Sequence, residues 1–402
     1  MLCWNEKRMM VELRMSNSWI AELFTERFGS EPEWLVQAPG RINLIGEHID
    51  YLGGSVMPAA IDRSLRMGVR ANGTDRVNVW SSEQPVEDVL VSFGLSDLKP
   101  FEGDRYWLNY IGGVIEMLRR DGLESIGFDA VITTDLPSGA GLSSSAALET
   151  ATALAVESLT GQQLDPIRRA MLCRQAEHEF AGVPCGIMDQ IAVGLGRKDH
   201  ALMLDCSDAS FVPVKIPRGI AILVSDTRVN HALGDGEYRK RRESCDKALQ
   251  FLAKASWSEV SADDLKLHKS ELGPLLHRRA RHVISEMVRV STMRNALANG
   301  DLGQVTEIMK SGHESLRDDF EVSCPELDLL VEAAYEFGTD RGLVGARMTG
   351  GGFGGSTVSL VREEAAESLK THVETAFREQ FQSEANCFVA TIANGASATV
   401  AT

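Results

Sequence analysis

The sequence predicts an α+β fold in two domains. Short strand patterns alternate with helices through the first half; the second half is mainly helical and closes on strand, strand, helix, strand. The 402 residues, 44% of them apolar, can bury more core than one domain usually holds. No repeat, low-complexity tract or long linker intervenes, so the boundary falls where the pattern changes, giving domains of 16–206 and 207–402.

Taken in order, a helix begins near Ser16 or Asn17 and runs through Trp19, Ile20, Leu23 and Phe24, and the residues before Met15 read as a disordered extension. Strands are expected at 34–38, 77–80 and 128–134, with a helix at 110–119 between the last two. A helix over 145–159 has apolar residues on nearly all its faces and is therefore buried. Asp165 as N-cap, Pro166 at the first helical position and Gly182 at the end delimit the next helix, which carries Arg174, Glu177 and His178. Residues 201–205 and 220–225 read as buried strands, with Pro213 and Pro217 marking an irregular crossing between them. From 238 to about 335 the chain is helical. Strands at 343–348, 356–361 and 387–392 and a helix at 362–381 suggest a small sheet covered on one side by helices.

Composition narrows the function. A formal net charge of −16 repels nucleic-acid phosphates and anionic membranes. The seven cysteines are scattered, with neither CxxC spacing nor histidine clustering, which favours a reducing compartment over disulfides or a zinc site. No apolar run is long enough to span a bilayer, and the N-terminus has no apolar core ending in small residues. A cytoplasmic monomer is expected. The run Arg239-Lys240-Arg241-Arg242 reads as a solvated helix face, partly offset by Glu237, Glu243 and Asp246.

Three glycine-bearing segments carry chemistry. Leu136-Pro137-Ser138-Gly139-Ala140-Gly141-Leu142-Ser143-Ser144-Ser145-Ala146-Ala147 lies between a strand and the buried helix. Glycines there let the backbone approach a ligand, and free N–H groups at a helix start favour an anion such as phosphate; a tight turn with a serine cap is an equal alternative. The segment matches neither the common P-loop nor G-x-G-x-x-G. In Ala38-Pro39-Gly40-Arg41-Ile42-Asn43-Leu44-Ile45-Gly46-Glu47-His48-Ile49-Asp50-Tyr51, two carboxylates and an imidazole within four positions can meet several hydroxyls at once, as a polyol requires. A solvated loop is one alternative. A metal site using Glu47, His48 and Asp50 is a lesser one, because no second His or Cys cluster completes a shell. Arg347-Met348-Thr349-Gly350-Gly351-Gly352-Phe353-Gly354-Gly355-Ser356 joins two predicted strands, where glycines mean either a flexible turn or close approach of backbone to a ligand or strand.

From about Trp34 onward the chain resembles the galactokinases of the GHMP kinase superfamily. The likeness rests on these segments together with Gln175-Ala176-Glu177-His178, Pro184-Cys185-Gly186-Ile187-Met188-Asp189-Gln190, Gly236-Glu237-Tyr238 and Leu316-Arg317-Asp318-Asp319-Phe320-Glu321-Val322. The resemblance implies the two-domain GHMP kinase fold with the active site between the domains. It implies transfer of phosphate from ATP to the anomeric hydroxyl of galactose.

By the same resemblance, Gly139, Ala140, Gly141, Leu142, Ser143, Ser144 and Ser145 bind the ATP phosphates, and Ser145 and Glu177 hold Mg²⁺. Asp189 is the catalytic carboxylate and Arg41 its partner; Glu47, His48, Ile49, Asp50, Gly186 and Tyr238 bind the sugar; and Trp107 and Ser82 lie near adenine. Physically, Mg²⁺ prefers hard oxygen ligands and keeps much of its shell for water and phosphate, so one hydroxyl and one carboxylate suffice. A carboxylate beside a guanidinium can orient or accept the proton of an attacking hydroxyl, while the guanidinium stabilises charge on the transferred phosphoryl group. A structural ion pair is the alternative for Arg41 and Asp189.

A galactose sensor without catalysis is the rival from another class, and the uninterrupted Ser143-Ser144-Ser145-Ala146-Ala147 favours the enzyme over it. The sugar loop departs from its relatives at Ile49, where threonine is customary, and at Leu52, where asparagine is. Glu-His-Ile-Asp-Tyr resembles the N-acetylgalactosamine kinases instead. A bulky Ile187 near C2 is expected to exclude an acetamide, leaving galactose preferred and L-arabinose a further candidate.

Overall fold

The computed structural model describes residues 16–83, 90–137, 139–230 and 234–401, without the side chains at 230, 234, 235 and 238. The extension expected before Met15 lies outside the described residues.

In chain order the elements are α1 (Asn17–Phe28), β1 (Trp34–Asn43), β2 (Ser55–Val56), β3 (Pro58–Ala71), β4 (Arg76–Ser81), β5 (Val91–Gly94), α2 (Asn109–Arg120) and β6 (Phe128–Thr134). Next come α3 (Ser144–Thr160), α4 (Pro166–Ala176), α5 (Met188–Leu195), β7 (His200–Asp205), β8 (Phe211–Lys215) and β9 (Ile220–Asn230). The second half adds α6 (Gly234–Phe251), α7 (Lys269–Asn299), α8 (Leu302–Ser315), α9 (Pro325–Phe337), β10 (Leu343–Thr349), β11 (Gly354–Arg362), α10 (Ala366–Phe381), β12 (Asn386–Ala390) and β13 (Ser397–Val400).

The expected helix ends follow from their caps. Ser16 Oγ accepts the Trp19 N–H at 3.1 Å to start α1, and Gly29 ends it at φ 71°. Asp165 accepts from Ile167 and Arg168 to start α4, whose axis continues through a π turn, Glu177–Ala181, to Gly182 at φ 71°. Among the described residues no helix is long and apolar enough to cross a membrane.

A six-stranded sheet runs β13-β1-β3-β6-β4-β5, antiparallel except for β4 beside β6. Helix α3 lies on β1 and β3 and against α2 and α5. Its alanines let the helix backbone come close on every side, and Ala146, Ala147, Ala151, Ala153 and Ala155 are all fully buried. A three-stranded sheet, β2-β7-β8, uses the stretch expected to be irregular: Pro213 sits in β8, an edge strand, where its missing N–H breaks no ladder.

The four-stranded sheet β10-β11-β9-β12 is covered on both faces, not one. Leu223, Leu343, Ala346 and Val361 face a separate core built with α9 and α10, whereas Ile222, Val224, Val358 and Leu360 face the main core of the molecule. Period-two alternation of apolar residues on both faces is what a doubly covered sheet demands. The C-terminal strand β13 returns to pair with β1, Trp34 opposite Val400, so the chain ends in the sheet where it began.

Candidate active site

Three backbone devices bring the site together. The β1–β3 register slips between Pro39 and Arg41, and a Cβ at Gly40 would lie 2.3 Å from the Leu136 side chain and 2.8 Å from the Leu142 carbonyl. The glycine thus lets β1 press against the loop 139–145, where the Arg41 N–H bonds the Leu142 carbonyl at 3.1 Å. In that loop Gly139, Gly141 and Ser143 have φ of 73°, 72° and 61°; only Ser143 carries a side chain there. The third glycine segment packs on the loop: Ser356 Oγ donates to the Ala140 carbonyl at 2.7 Å, and Thr349 Oγ1 bonds the Asn43 carbonyl at 3.0 Å. Close backbone approach, one of the two sequence readings of that segment, is the one realised.

Arg41 and Asp189 meet across this junction. The guanidinium donates Nε to Oδ1 and Nη2 to Oδ2, both at 2.8 Å, and Nη1 to the Gly141 carbonyl at 2.6 Å. Ser143 Oγ donates to Asp189 Oδ2. Ser143 occupies the N-cap position of α3 but makes no side-chain cap bond, because its hydroxyl is turned to Asp189. The N–H groups of the first turn therefore receive nothing from that hydroxyl.

Asp189 opens α5 on one wall of a cavity of about 370 Å³. Arg41, Glu47, His48, Asp50, Glu177, Gly186 and Asp189 all line it, as do Gly350, Gly351, Gly352 and Phe353. Seven residues singled out in the sequence therefore share one cavity. Glu47 is buried; its Oε2 lies 2.5 Å from Arg347 Nη2 as an ion pair, and neither carboxylate oxygen has a hydrogen-bond partner among the described residues. A buried carboxylate left this way lacks the donors that its charge calls for. Burial drives the Glu47 carboxyl up to about 7 against the pull of Arg347. Burial, then the charge of Asp189, raises Asp50 to about 6.

His48 behaves differently from the expected hydroxyl-binding imidazole. Its Nε2 lies 3.0 Å from the Gly351 carbonyl, which can only accept, so Nε2 carries the proton and Nδ1 accepts from the Tyr51 hydroxyl at 3.1 Å. Burial and then His282 lower its pKa to about 3, so the ring stays neutral. Both nitrogens serve the protein, and Phe320 packs its ring 5.0 Å away. His48 ties the sugar loop to the glycine run and shapes the cavity wall.

Other residues are placed more simply. The Ile49 side chain is fully buried against Gly54, and Ile187 is buried in the core, so neither side chain lines the cavity and Ile187 cannot limit space there. Ala140 and Leu142 likewise turn their side chains into the core. The basic run is solvated only in its first half: Arg239 and Lys240 are exposed and Glu237 pairs with Lys240 and Arg241 as expected, whereas Arg242 donates to the Pro184 carbonyl at 3.3 Å and Arg241 to the Phe320 and Glu321 carbonyls, each at 2.7 Å. Trp107, on a 3-10 turn, and Ser82, exposed after β4, are not part of the cavity lining. The side chain of Tyr238 lies outside the described residues.

Sequence reasoning missed a buried acidic cluster behind the cavity. Gln190 Nε2 donates to Glu149 at 3.0 Å and to Glu177 at 2.9 Å, and the Cys185 thiol donates to Glu177 at 3.3 Å. Burial, and next the charge of Asp189, raise the Glu177 carboxyl to about 7; burial and Glu177 push Glu149 well above the usual range. A signal existed: a helix apolar on every face cannot expose Glu149, so that carboxylate had to be buried with a partner.

Comparison with known proteins agrees with this geometry. Residues 22–71 match the galactokinase galactose-binding signature, 109–197 the GHMP kinases N terminal domain and 293–379 the GHMP kinases C terminal domain. Galactokinase of Bos taurus is 42% identical over 93% of this chain and 94% of its own length. The chain belongs to the galactokinase family of the GHMP kinases. Galactokinase of Roseiflexus sp. (strain RS-1) is 39% identical over 94% of this chain and 95% of its own. The crystal structure of Lactococcus lactis galactokinase complexed with galactose superposes with a TM-score of 0.90 at 33% identity, covering 94% of this chain and 99% of that one. A mevalonate kinase, at 19% identity and a TM-score of 0.61, shares the fold. As a member of a kinase family, the protein takes ATP as phosphoryl donor.

Proposed function

We propose that the protein transfers the terminal phosphoryl group of ATP to the anomeric hydroxyl of D-galactose, giving galactose 1-phosphate and ADP. The observation that carries this reading is the Ser143 hydroxyl turned from its helix to Asp189, which leaves an anion-ready helix start beside an Arg41–Asp189 pair and an open cavity. Asp189 orients the attacking hydroxyl and receives its proton. Arg41 holds Asp189 at two points and faces the transferred group with its remaining charge. The Glu47 and Asp50 carboxylates accept sugar hydroxyls, Gly186 leaves room beside Asp50, and Tyr238 keeps the sugar-binding role that the family resemblance gives it. Backbone N–H groups of 139–145 hold the phosphates, with Ser82 and Trp107 toward the base.

Ser145 and Glu177 fit a magnesium ion. They offer a hydroxyl and a carboxylate, hard oxygens in mutual contact, with Glu177 nearly buried among Gln190, Cys185 and Asp189. Bound there, the ion would neutralise charge on the phosphates. The boundary expected at 206/207 is crossed by two strands, β8 beside β7 and β13 beside β1, so the second segment completes sheets of the first. The free cysteines among the described residues and the acidic composition suit a cytoplasmic monomer.

The deciding experiment measures ADP release and kcat/KM for galactose, N-acetylgalactosamine, L-arabinose and glucose. Galactose is expected to lead, with glucose lower by up to about 10⁴-fold because its inverted C4 hydroxyl leaves buried acceptors unpaired. Sugar and nucleotide binding without ADP release would instead make the protein a sensor. Because Ile187 is buried, a preference for N-acetylgalactosamine or L-arabinose is judged on this measurement alone, and either result would change the substrate while keeping the chemistry.

A pH profile follows from the two raised carboxyls. Sugar hydroxyls donate to the ionised forms, so affinity is complete above the raised pKa values and falls as pH drops through about 7 and then 6. The galactose KM is expected to begin rising well above the usual carboxylate range near about 4. A galactose KM that stays flat down to pH of about 5 would remove Glu47 and Asp50 as acceptors.

A further inference from the structure

The sugar-facing loop is held from behind by charges outside the cavity lining. Glu286 on α7 is fully buried; its Oε1 accepts the Gly46 N–H at 2.8 Å and lies 2.8 Å from Arg347 Nη2, while Oε2 pairs with Arg289 Nε at 2.6 Å. The same Arg347 nitrogen reaches Glu47 Oε2 at 2.5 Å. His282, one turn before Glu286, lies with Nε2 3.1 Å from the Glu47 carbonyl, to which that nitrogen donates. Glu47 is therefore fixed at three points: the N–H of the residue before it, its own carbonyl, and one carboxylate oxygen. Neither carboxylate oxygen has a hydrogen-bond partner among the described residues, and only Oε2 is in an ion pair.

Arg347 has no exposed surface, and Gly312 on α8 makes room for it: a Cβ there would lie 2.6 Å from Nη1. A plain brace between β10 and the loop would be served as well, or better, by packed apolar side chains, because burying charge costs more than such a pair returns. As a brace it is also incomplete, since Arg347 Nε and Nη1 have no hydrogen-bond partner among the described residues. What the arrangement does fix is the direction of one carboxylate oxygen.

We propose that Arg347 and Glu286 are positioning residues for the sugar: without touching it, they aim the Glu47 carboxylate at one hydroxyl and so set sugar affinity. The inference rests on the reading of Glu47 as a sugar acceptor. Three variants test it. Arg347→Lys keeps the charge but loses the planar fork, Glu286→Gln keeps an acceptor for Gly46 but loses the charge, and Gly312→Ala displaces Arg347 with every charge retained and a better helix former in place.

Each is assayed with galactose and its 2-, 3-, 4- and 6-deoxy analogues, beside Glu47→Gln. The galactose KM is expected to rise about tenfold or more, the range for a misaligned charged hydrogen bond, with kcat and the ATP KM changed less than about twofold. For the one deoxy sugar lacking the hydroxyl that Glu47 receives, the variant-to-parent ratio should fall to about one, because the coupled partner is already absent. A similar penalty for all five sugars, or kcat falling in step with KM, would show a purely structural network and overturn the proposal. If Glu47→Gln raises the galactose KM and the three variants do not, the positioning role alone fails. An unchanged KM in Glu47→Gln removes the reading of Glu47 itself.

Discussion

Asp189→Asn is expected to lower kcat by at least about 100-fold, the usual scale for a positioned acid or base, while galactose and ATP bind almost as tightly as before. The carboxylate receives three donors, Arg41 Nε, Arg41 Nη2 and Ser143 Oγ. Asparagine can satisfy only part of that set, since its NH₂ must face either a guanidinium N–H or the hydroxyl. If the NH₂ takes the Oδ2 position, Ser143 can turn and accept from it, but Arg41 Nη2 loses its partner. The substitution therefore removes the proton acceptor and loosens the guanidinium together. Steady-state kcat, with galactose and nucleotide affinities from calorimetry, separates the two roles. Turnover within a few-fold of the parent would take Asp189 out of the mechanism and leave its contact with Arg41 as a structural ion pair.

Most of the site was legible because its parts are local. The glycines at 40, 139 and 141 and the pairing of Glu47 with Asp50 announce themselves within a dozen residues, and caps such as Asp165 with Pro166 fix helix starts by neighbouring atoms alone. Partners far apart in the chain could not be read this way. Glu286 sits on a long helix rich in charge, where nothing local marks it as buried; its burial depends on Arg347, 61 residues later, and on the Gly46 N–H, 240 residues earlier. The direction of a side chain was also beyond local pattern, as Ile187 shows: it stands between Gly186 and Met188, both at the cavity, yet points into the core. The basic run held only for Arg239 and Lys240, for a related reason. Alternating charge predicts a solvated helix face only where nothing packs on the helix, and here the carbonyls of Pro184, Phe320 and Glu321 come to meet it. Strand β13, four residues of Ser, Ala, Thr and Val, is too short to show a period.

Gly186→Ala should raise the galactose KM by about 10- to 150-fold, as much as losing the Asp50 carboxylate outright, with the ATP KM little changed. The glycine is not needed for its backbone angles, since its φ is outside the left-handed region, so the effect is one of space. A Cβ at 186 would lie 2.0 Å from Asp50 Oδ2, 2.6 Å from its Cγ and 2.9 Å from its Cβ. Asp50 begins a 3-10 turn, Asp50–Leu52, closed by Gly53 at φ 75°, and has a short side chain that cannot retreat while the turn holds. It must rotate out of the cavity, or the segment carrying Gly186 must move. In an Asp50→Ala background the two closest atoms are gone, and the remaining contact at 2.9 Å asks for a shift of only a few tenths of an ångström. The two substitutions should therefore be strongly non-additive, the double variant binding galactose about as weakly as Asp50→Ala alone. Full additivity of the two penalties would show that Gly186 acts on the sugar directly, by its own backbone, and that the room it leaves for Asp50 is incidental.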